Sequence, residues 1–444
     1  MTPLLALVIA CRPAVESAAP ADPASPAPTT PPVTTPPEAP IGSPSSAEDL
    51  DPADGSVSYA LTAAPATWAS GGVLVDGYAY DGQVPGPTLR ARVGDTVTVT
   101  LTNTLPDPTT IHWHGVSVPW AMDGATWMDD PVAPGATFTY TFVAERAGTF
   151  WYHPHFDTER QVDLGLYGMF VVEDPTDPPV AALELVLDTV ASADAPAGGH
   201  GGAASGWTVN SAAQGGRAEV TTGPARVRLV NTSNDGYAAL VGPLRVIGAD
   251  QGLAAAIVEE PLLVLAPGDR AELELLATTT LTLTPYSVDG GAAWGEPTPL
   301  ITVEVPSSEP AAWAVSGAAP SLDPGVTDVT YTLQGSGDVW LINGEIWPDV
   351  TIERLPLGAS AVIEVRNLSA ANHPFHLHGH AFEVLSVDGV APTSRRIEDT
   401  LDVAIRQTVR LLLVADNPGE WMAHCHILPH AHDGMMTVLA IEEG

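Results

Sequence analysis

Near the end of the chain His424, Cys425 and His426 stand in a row, followed by His430 and Met435. On a β-strand successive side chains point to opposite faces, so Cys425 would face one way and both flanking histidines the other. A thiolate, a histidine five residues on and a thioether just beyond are the makings of a blue-copper site. The flanking imidazoles would reach a second metal site across the strand. Two redox centres would then meet through one residue and its neighbours.

Histidine pairs recur elsewhere. His112-Trp113-His114-Gly115 has the form of His376-Leu377-His378-Gly379. Gly148 is followed at five and seven residues by His153 and His155, and Gly419 at the same offsets by His424 and His426. Each His-x-His pair sets both imidazoles on one strand face, and two domains can close such faces on each other. Eight imidazoles at an interface suit a small copper cluster, because imidazole binds copper well and leaves room for an exogenous ligand. One pair alone would carry little weight; four in matched positions beside His-Cys-His carry the argument. Zinc is the rival ion, but a single thiolate with a trailing methionine favours copper.

Strands must hold these pairs. Val97, Val99 and Leu101 alternate with threonines, as do Phe138, Tyr140 and Phe142. Gly and Pro punctuate at short intervals and no long helical period appears, which predicts an all-β chain of sandwiches or barrels. A strand ending in asparagine recurs at Val97 to Asn103, Arg226 to Asn231 and Val362 to Asn367, with the asparagines 128 and 136 residues apart. An Ala-Pro-Gly turn recurs at 133–135 and 266–268. These periods predict three β domains, at 59–176, 177–305 and 306–444, after a leader and linker at 1–58. The histidine motifs fall in the first and third, and the middle domain has none.

Over residues 60–444 the chain resembles the multicopper oxidases, the laccase-like family. The resemblance implies three consecutive cupredoxin-like Greek-key β-sandwiches and four copper ions. It implies that His373, Cys425, His430 and Met435 bind a mononuclear blue copper. His112 and His376 would bind the lone copper of a trinuclear cluster. His114, His153, His155, His378, His424 and His426 would bind its coupled pair. Electrons would pass from the blue site through Cys425 to His424 and His426. Asp123, in a Met-Asp-Gly turn, matches a family aspartate proposed to relay protons to oxygen; its plainer reading is a turn residue. Ala431 departs from several bacterial relatives, which carry a proton-donating glutamate there.

The activity implied is one-electron oxidation of phenols and aromatic amines coupled to four-electron reduction of O2 to water. A metal oxidase acting on Cu(I), Fe(II) or Mn(II) is the second reading, weakened for Cu(I) because the seven methionines form no cluster. A copper-free envelope scaffold of the same fold is the non-enzyme alternative, and it would have lost ligands that are all present here. Of the other histidines, His200 lies in a Gly-rich loop, and His380 and His432 flank ligand segments. Ala431, His432, Asp433 and Gly434 are small or polar and predict an open rim beside His430.

The net charge is −37, with 16 basic residues, all arginine. That argues against nucleic acid and anionic membrane surfaces as partners. It would favour cationic reductants, although solubility or adaptation to salt accounts for it equally simply. No apolar run reaches transmembrane length. Met1 to Ala10 are apolar and uncharged, and Val8-Ile9-Ala10-Cys11 resembles a lipobox. The stretch is short and lacks a basic start. It predicts an exported protein, periplasmic or at the cell surface, attached to a membrane through lipidated Cys11. Residues 12–58 are rich in Pro, Ala, Ser and Thr and read as a semi-extended tether.

Overall fold

The computed structural model describes residues 39–444, apart from 52, 126–129, 191–205, 288–291 and 294. Cys11 and the run before it, and His200, lie outside the described residues. The architecture is all-β, and no described helix is long and apolar enough to cross a membrane. Alternation builds the strands: along Thr96–Asn103, Val97, Val99 and Leu101 are buried while the threonines reach toward solvent. Phe138 departs from that pattern. It is 37% exposed and lies edge-on against the buried Tyr140.

The first domain is a sandwich. One sheet runs Val73–Tyr80, Ser56–Ser70, Thr96–Asn103, Thr137–Val143, and the other Gly86–Arg92, Gly168–Glu173, Gly148–His153, His112–His114. Their inner faces share one apolar core that includes Leu61, Val97, Trp113 and Phe170. The last domain repeats the plan with a six-stranded and a five-stranded sheet, and the five-stranded one pairs Gly419–Cys425 with His373–Leu377. The middle domain differs, because ten of its strands form one continuous sheet, beside a separate pair of short strands at Tyr286–Ser287 and Ala292–Ala293. Strand Ala238–Ala249 pairs with Arg270–Leu275 at one end and Thr279–Thr284 at the other. Register shifts at Val241/Leu244 and Val246/Gly248 bend it round the corner, so hydrogen bonding carries over between layers.

The recurring asparagines do the same work three times. Asn103, Asn231 and Asn367 are fully buried at strand ends. Asn103 Nδ2 donates to the carbonyls of Asp107 (2.9 Å) and Val132 (2.8 Å). Asn231 donates to Gly236 (2.7 Å) and Leu265 (2.9 Å), and Asn367 to Ala371 (2.7 Å) and Val403 (2.8 Å). Each side-chain oxygen accepts the amide two residues on. Val132 and Leu265 immediately precede the two Ala-Pro-Gly turns. The amide therefore ties the strand end to the following turn and to a second backbone segment.

The stretch read as a tether ends differently from expectation. Residues 39–51 lie along the folded body: Ile41 N donates to Arg217 O (2.7 Å), and Ala47 N to Thr88 O (3.0 Å). Ile41 packs on the middle core and Ala47 on the first. A small cluster that includes Trp151, Tyr167, Val186, Val230 and Leu428 draws on all three domains and fixes them against one another.

Candidate metal centre

Two antiparallel strand pairs present the histidines. In the first domain His112 stands opposite His153; in the last, His376 stands opposite His424. The faces meet ring on ring. His112 stacks on His378 and His114 on His376, each with centroids 3.9 Å apart. All eight imidazoles are thereby brought together, and all are buried. His155, His378 and His424 bring ligand nitrogens within 4.8 Å of one another. The rings of His114, His153 and His426 form a second triad, with centroids 4.8 to 5.9 Å apart.

Hydrogen bonds decide which nitrogen faces inward. His112 Nδ1 donates to Asp123 O (3.0 Å), His376 Nδ1 to Asp399 O (3.0 Å) and His153 Nδ1 to Pro154 O (2.9 Å). Their Nε2 atoms are buried with no partner. His114 is reversed: Nε2 donates to Thr400 Oγ1 (3.0 Å), and Nδ1 is left without a partner. His378 Nδ1 donates to Asp123 Oδ2 (2.8 Å) and His424 Nδ1 to Cys425 O (2.9 Å). Their Nε2 atoms, both lone-pair bearing as a result, face each other at 3.0 Å. Two lone pairs at that distance repel unless a cation lies against them. Burial, then the neighbouring imidazoles, holds the pKa values of His153, His155, His378 and His426 well below the ordinary value and that of His424 at about 3. Neutral imidazoles are the form that binds metal.

Across the strand, Cys425 Sγ lies 3.4 Å from His373 Nδ1 and 3.7 Å from His430 Nδ1. The two ring nitrogens are 3.2 Å apart. Burial pushes the Cys425 thiol up and His373 down to about 3, so an ion entering here must displace the thiol proton. Met435 is fully buried in the same core, and its carbonyl accepts the Cys425 amide (3.1 Å). His373 Nε2 meets Ser369 Oγ at 2.6 Å. The expected open rim is not found. Trp340, on strand Val339–Ile342, stacks on His430 with centroids 3.8 Å apart and stands edge-on to His373, which is fully buried. The residues after His430 are small, but the cover comes from about 90 residues upstream, where they carry no sign of it.

Asp123 touches both pairs, through His378 and with Oδ1 3.3 Å from His112 Nδ1. Ala431 is buried on the short helix Leu428–His432. His380 is also buried, 3.3 Å from the His378 carbonyl and edge-on to Trp421, whereas His432 is exposed. Sequence reasoning missed Asp399, Thr400 and Arg270. Asp399 Oδ1 lies 3.1 Å from His114 Nε2 and accepts from Thr400 Oγ1 (2.9 Å), and the Arg270 guanidinium pairs with it. An acid two dozen residues beyond a histidine motif has no signature; only the pairing of Thr400–Val403 with His373–Leu377 brings it there.

Sulfur beside two imidazoles, joined through one residue to a nest of neutral imidazoles, fits copper better than any other common ion. Fold and donors together define a cupredoxin-type copper oxidase. Family profiles for multicopper oxidases match residues 63–177 and 321–444. The chain is 30% identical to the multicopper oxidase MmcO of Mycobacterium tuberculosis, over 89% of each chain. It is 29% identical to Laccase-1 of Botryotinia fuckeliana, over 85% of this chain and 80% of that one. The crystal structure of a multicopper oxidase from Pseudomonas thermotolerans superposes with a TM-score of 0.76 at 30% identity, over 87% of this chain and 99% of that one. The chain belongs to the multicopper oxidase family and is an oxidoreductase that uses copper.

Proposed function

We propose that this protein is a laccase-like oxidase that removes single electrons from phenols and aromatic amines and reduces O2 to water. We assign it four copper ions: His373, Cys425, His430 and Met435 would hold one, and the eight imidazoles would hold three. The bound coppers supply one-electron acceptance at the first site and oxygen reduction at the second. The protein's part is to hold neutral donors in place. Cys425 and its two flanking histidines connect the sites through one residue, and burial keeps water away from both. Asp123, with oxygens against rings of both histidine pairs, is placed to supply protons where Ala431 cannot.

The observation that carries the substrate class is the cover over the sulfur site. Trp340 lies on His430, and the exposed Val339 and Leu368 adjoin Trp340 and Ser369 in the chain. An aromatic and aliphatic cover suits an aromatic ring. Only Met422, Met435 and Met436 lie near this site in sequence, so soft donors that would gather Cu(I) are few. The charge of −37 favours amines and other cationic donors over anionic ones. We also propose export and lipid attachment at Cys11, on the strength of Val8-Ile9-Ala10-Cys11. The deciding experiment is steady-state oxygen uptake with a phenol, an aromatic diamine, Cu(I), Fe(II) and Mn(II) in parallel. We expect the highest kcat/KM for the phenol or diamine, with the cationic preference shrinking as salt is added. A metal ion surpassing both organic donors would replace this reading with that of a metal oxidase.

A further inference from the structure

Among the described residues the middle domain contributes no histidine to the cluster, yet Arg270 sits where all three domains meet. This guanidinium is fully buried and uses all five of its N–H donors. Nε donates to Thr149 O (3.2 Å), on the strand that carries His153. Nη1 donates to Gly268 O (3.1 Å) and to Asp399 Oδ1 (2.8 Å). Nη2 donates to Asp250 O (3.0 Å) and to Asp399 Oδ2. Gln251, also from the middle domain, donates to Asp399 Oδ2 (2.5 Å) and to Gly115 O (2.9 Å).

Asp399 passes this constraint on. Its Oδ1 and the Thr400 hydroxyl take the Nε2 proton of His114, which turns that ring's Nδ1 inward, opposite to His112, His153 and His376. The Asp399 carbonyl and Thr400 Oγ1 also receive His376 Nδ1, at 3.0 and 3.1 Å. Two cluster histidines, one from each ligand-bearing domain, thus owe their protonation site to Asp399 and Thr400. Two glycines attest how closely this group is built. A Cβ on Gly115, in the His-Trp-His-Gly motif, would stand 2.4 Å from Arg270 Nη2 and 2.7 Å from Asp399 Oδ2. A Cβ on Gly268, whose φ is +90°, would stand 2.9 Å from the His426 ring.

We propose that the middle domain sets the geometry of the copper cluster through Arg270, which with Gln251 clamps Asp399 so that Asp399 and Thr400 orient His114 and His376. Arg270 and Asp399 are positioning residues, not ligands. The proposal rests on the reading of the eight imidazoles as a copper cluster. An ion pair enclosed this way is weak support for stability in itself, and its attested use is to specify one arrangement. Partners of metal-bound histidines commonly tune metal affinity by 10- to 100-fold.

The test uses the full-length, copper-loaded protein with Asp399→Asn, Arg270→Gln, Arg270→Lys and the double variant Asp399→Asn/Arg270→Gln. Copper release to a competing chelator is followed per chain, with the blue absorption of the sulfur site as internal reference. In the two single charge-removing variants the blue copper should stay bound as in wild type, while cluster copper leaves at chelator concentrations about tenfold lower or less. Arg270→Lys should fall between, because an ammonium cannot make the forked contact. The double variant should lose little more than Asp399→Asn alone, since both changes break one linkage. Cluster copper held within twofold of wild type overturns the proposal, as does parallel loss of copper from both sites in a variant whose apoprotein is folded. If Arg270→Gln does not fold, Gln251→Leu removes one donor from the same carboxylate. It should weaken cluster copper several-fold, and wild-type affinity there would be equally fatal. A wild-type protein that binds a single copper overturns the cluster reading and this proposal together. Cluster copper present in wild type and unmoved in the variants overturns this proposal alone.

Discussion

Trp340 is the most direct test of how the reductant reaches the sulfur site. The indole is 7% exposed, stacks 3.8 Å from His430 at 30° and stands edge-on 5.2 Å from His373. A tryptophan buries roughly 150–250 Å². At about 25 cal/mol per Å² that amounts to about 4–6 kcal/mol of apolar transfer, an upper bound because the unfolded chain is already partly collapsed. Measured Trp→Ala losses in cores run about 3–5 kcal/mol, and we expect Trp340→Ala to cost about that in urea unfolding of the apoprotein. Trp340→Phe keeps a ring on His430 and should cost less than half as much. The functional effect runs the other way. With the cover gone, His430 and His373 meet solvent, and kcat/KM for a bulky phenol relative to a small one should rise on the order of tenfold. Modification of His430 by an imidazole-directed reagent in the apoprotein should quicken in parallel. If Trp340→Ala is destabilised as expected but leaves both the size preference and the labelling rate of His430 unchanged, Trp340 is core packing and the substrate enters elsewhere.

The other expectations are more compact. Cys425→Ser should abolish the blue absorption and nearly all turnover while apoprotein unfolding stays close to wild type, because the swap is almost isosteric; an unchanged visible spectrum would refute the ligand assignment. His426→Ala should retain the blue colour, lower copper below four per chain and stop O2 reduction, and full turnover would remove His426 from the cluster. Asp123→Asn keeps an acceptor for His378 but loses the charge; it should slow oxygen reduction with the blue copper left reduced, and wild-type turnover across acidic pH would leave Asp123 a turn residue.

The histidine pairs that the fold brings together could be read from the chain because their constraints are local. His112 and His114 share a face by strand alternation alone, and the Gly148 and Gly419 offsets repeat because both strands enter the cluster alike. Asn103, Asn231 and Asn367 marked a repeat whose physical cause, a carboxamide bridging strand end and turn, appears only in the folded chain. What supports the site from afar was illegible. Trp340 meets His430 across 90 residues, and Arg270 meets Asp399 across 129. No periodicity encodes such pairs, since they depend on how whole sheets dock. The bend in Ala238–Ala249 was equally hidden, because its register shifts involve ordinary valines and leucines as well as Gly248.

The stacked imidazole pairs impose an order of events on the life of the molecule. His112 and His378 are separated by 266 residues, and His114 and His376 by 262. Neither couple exists until the last domain has been synthesised and docked, so metal acquisition must follow folding. In the folded chain without metal, the burial that raises the Cys425 thiol pKa also keeps it chemically quiet. Once ions bridge the two faces, the first and last domains are clasped from within, and neither can open alone without surrendering metal. Metal held there would add its binding free energy to the docking of the two domains, so the loaded protein would outlive the apoprotein.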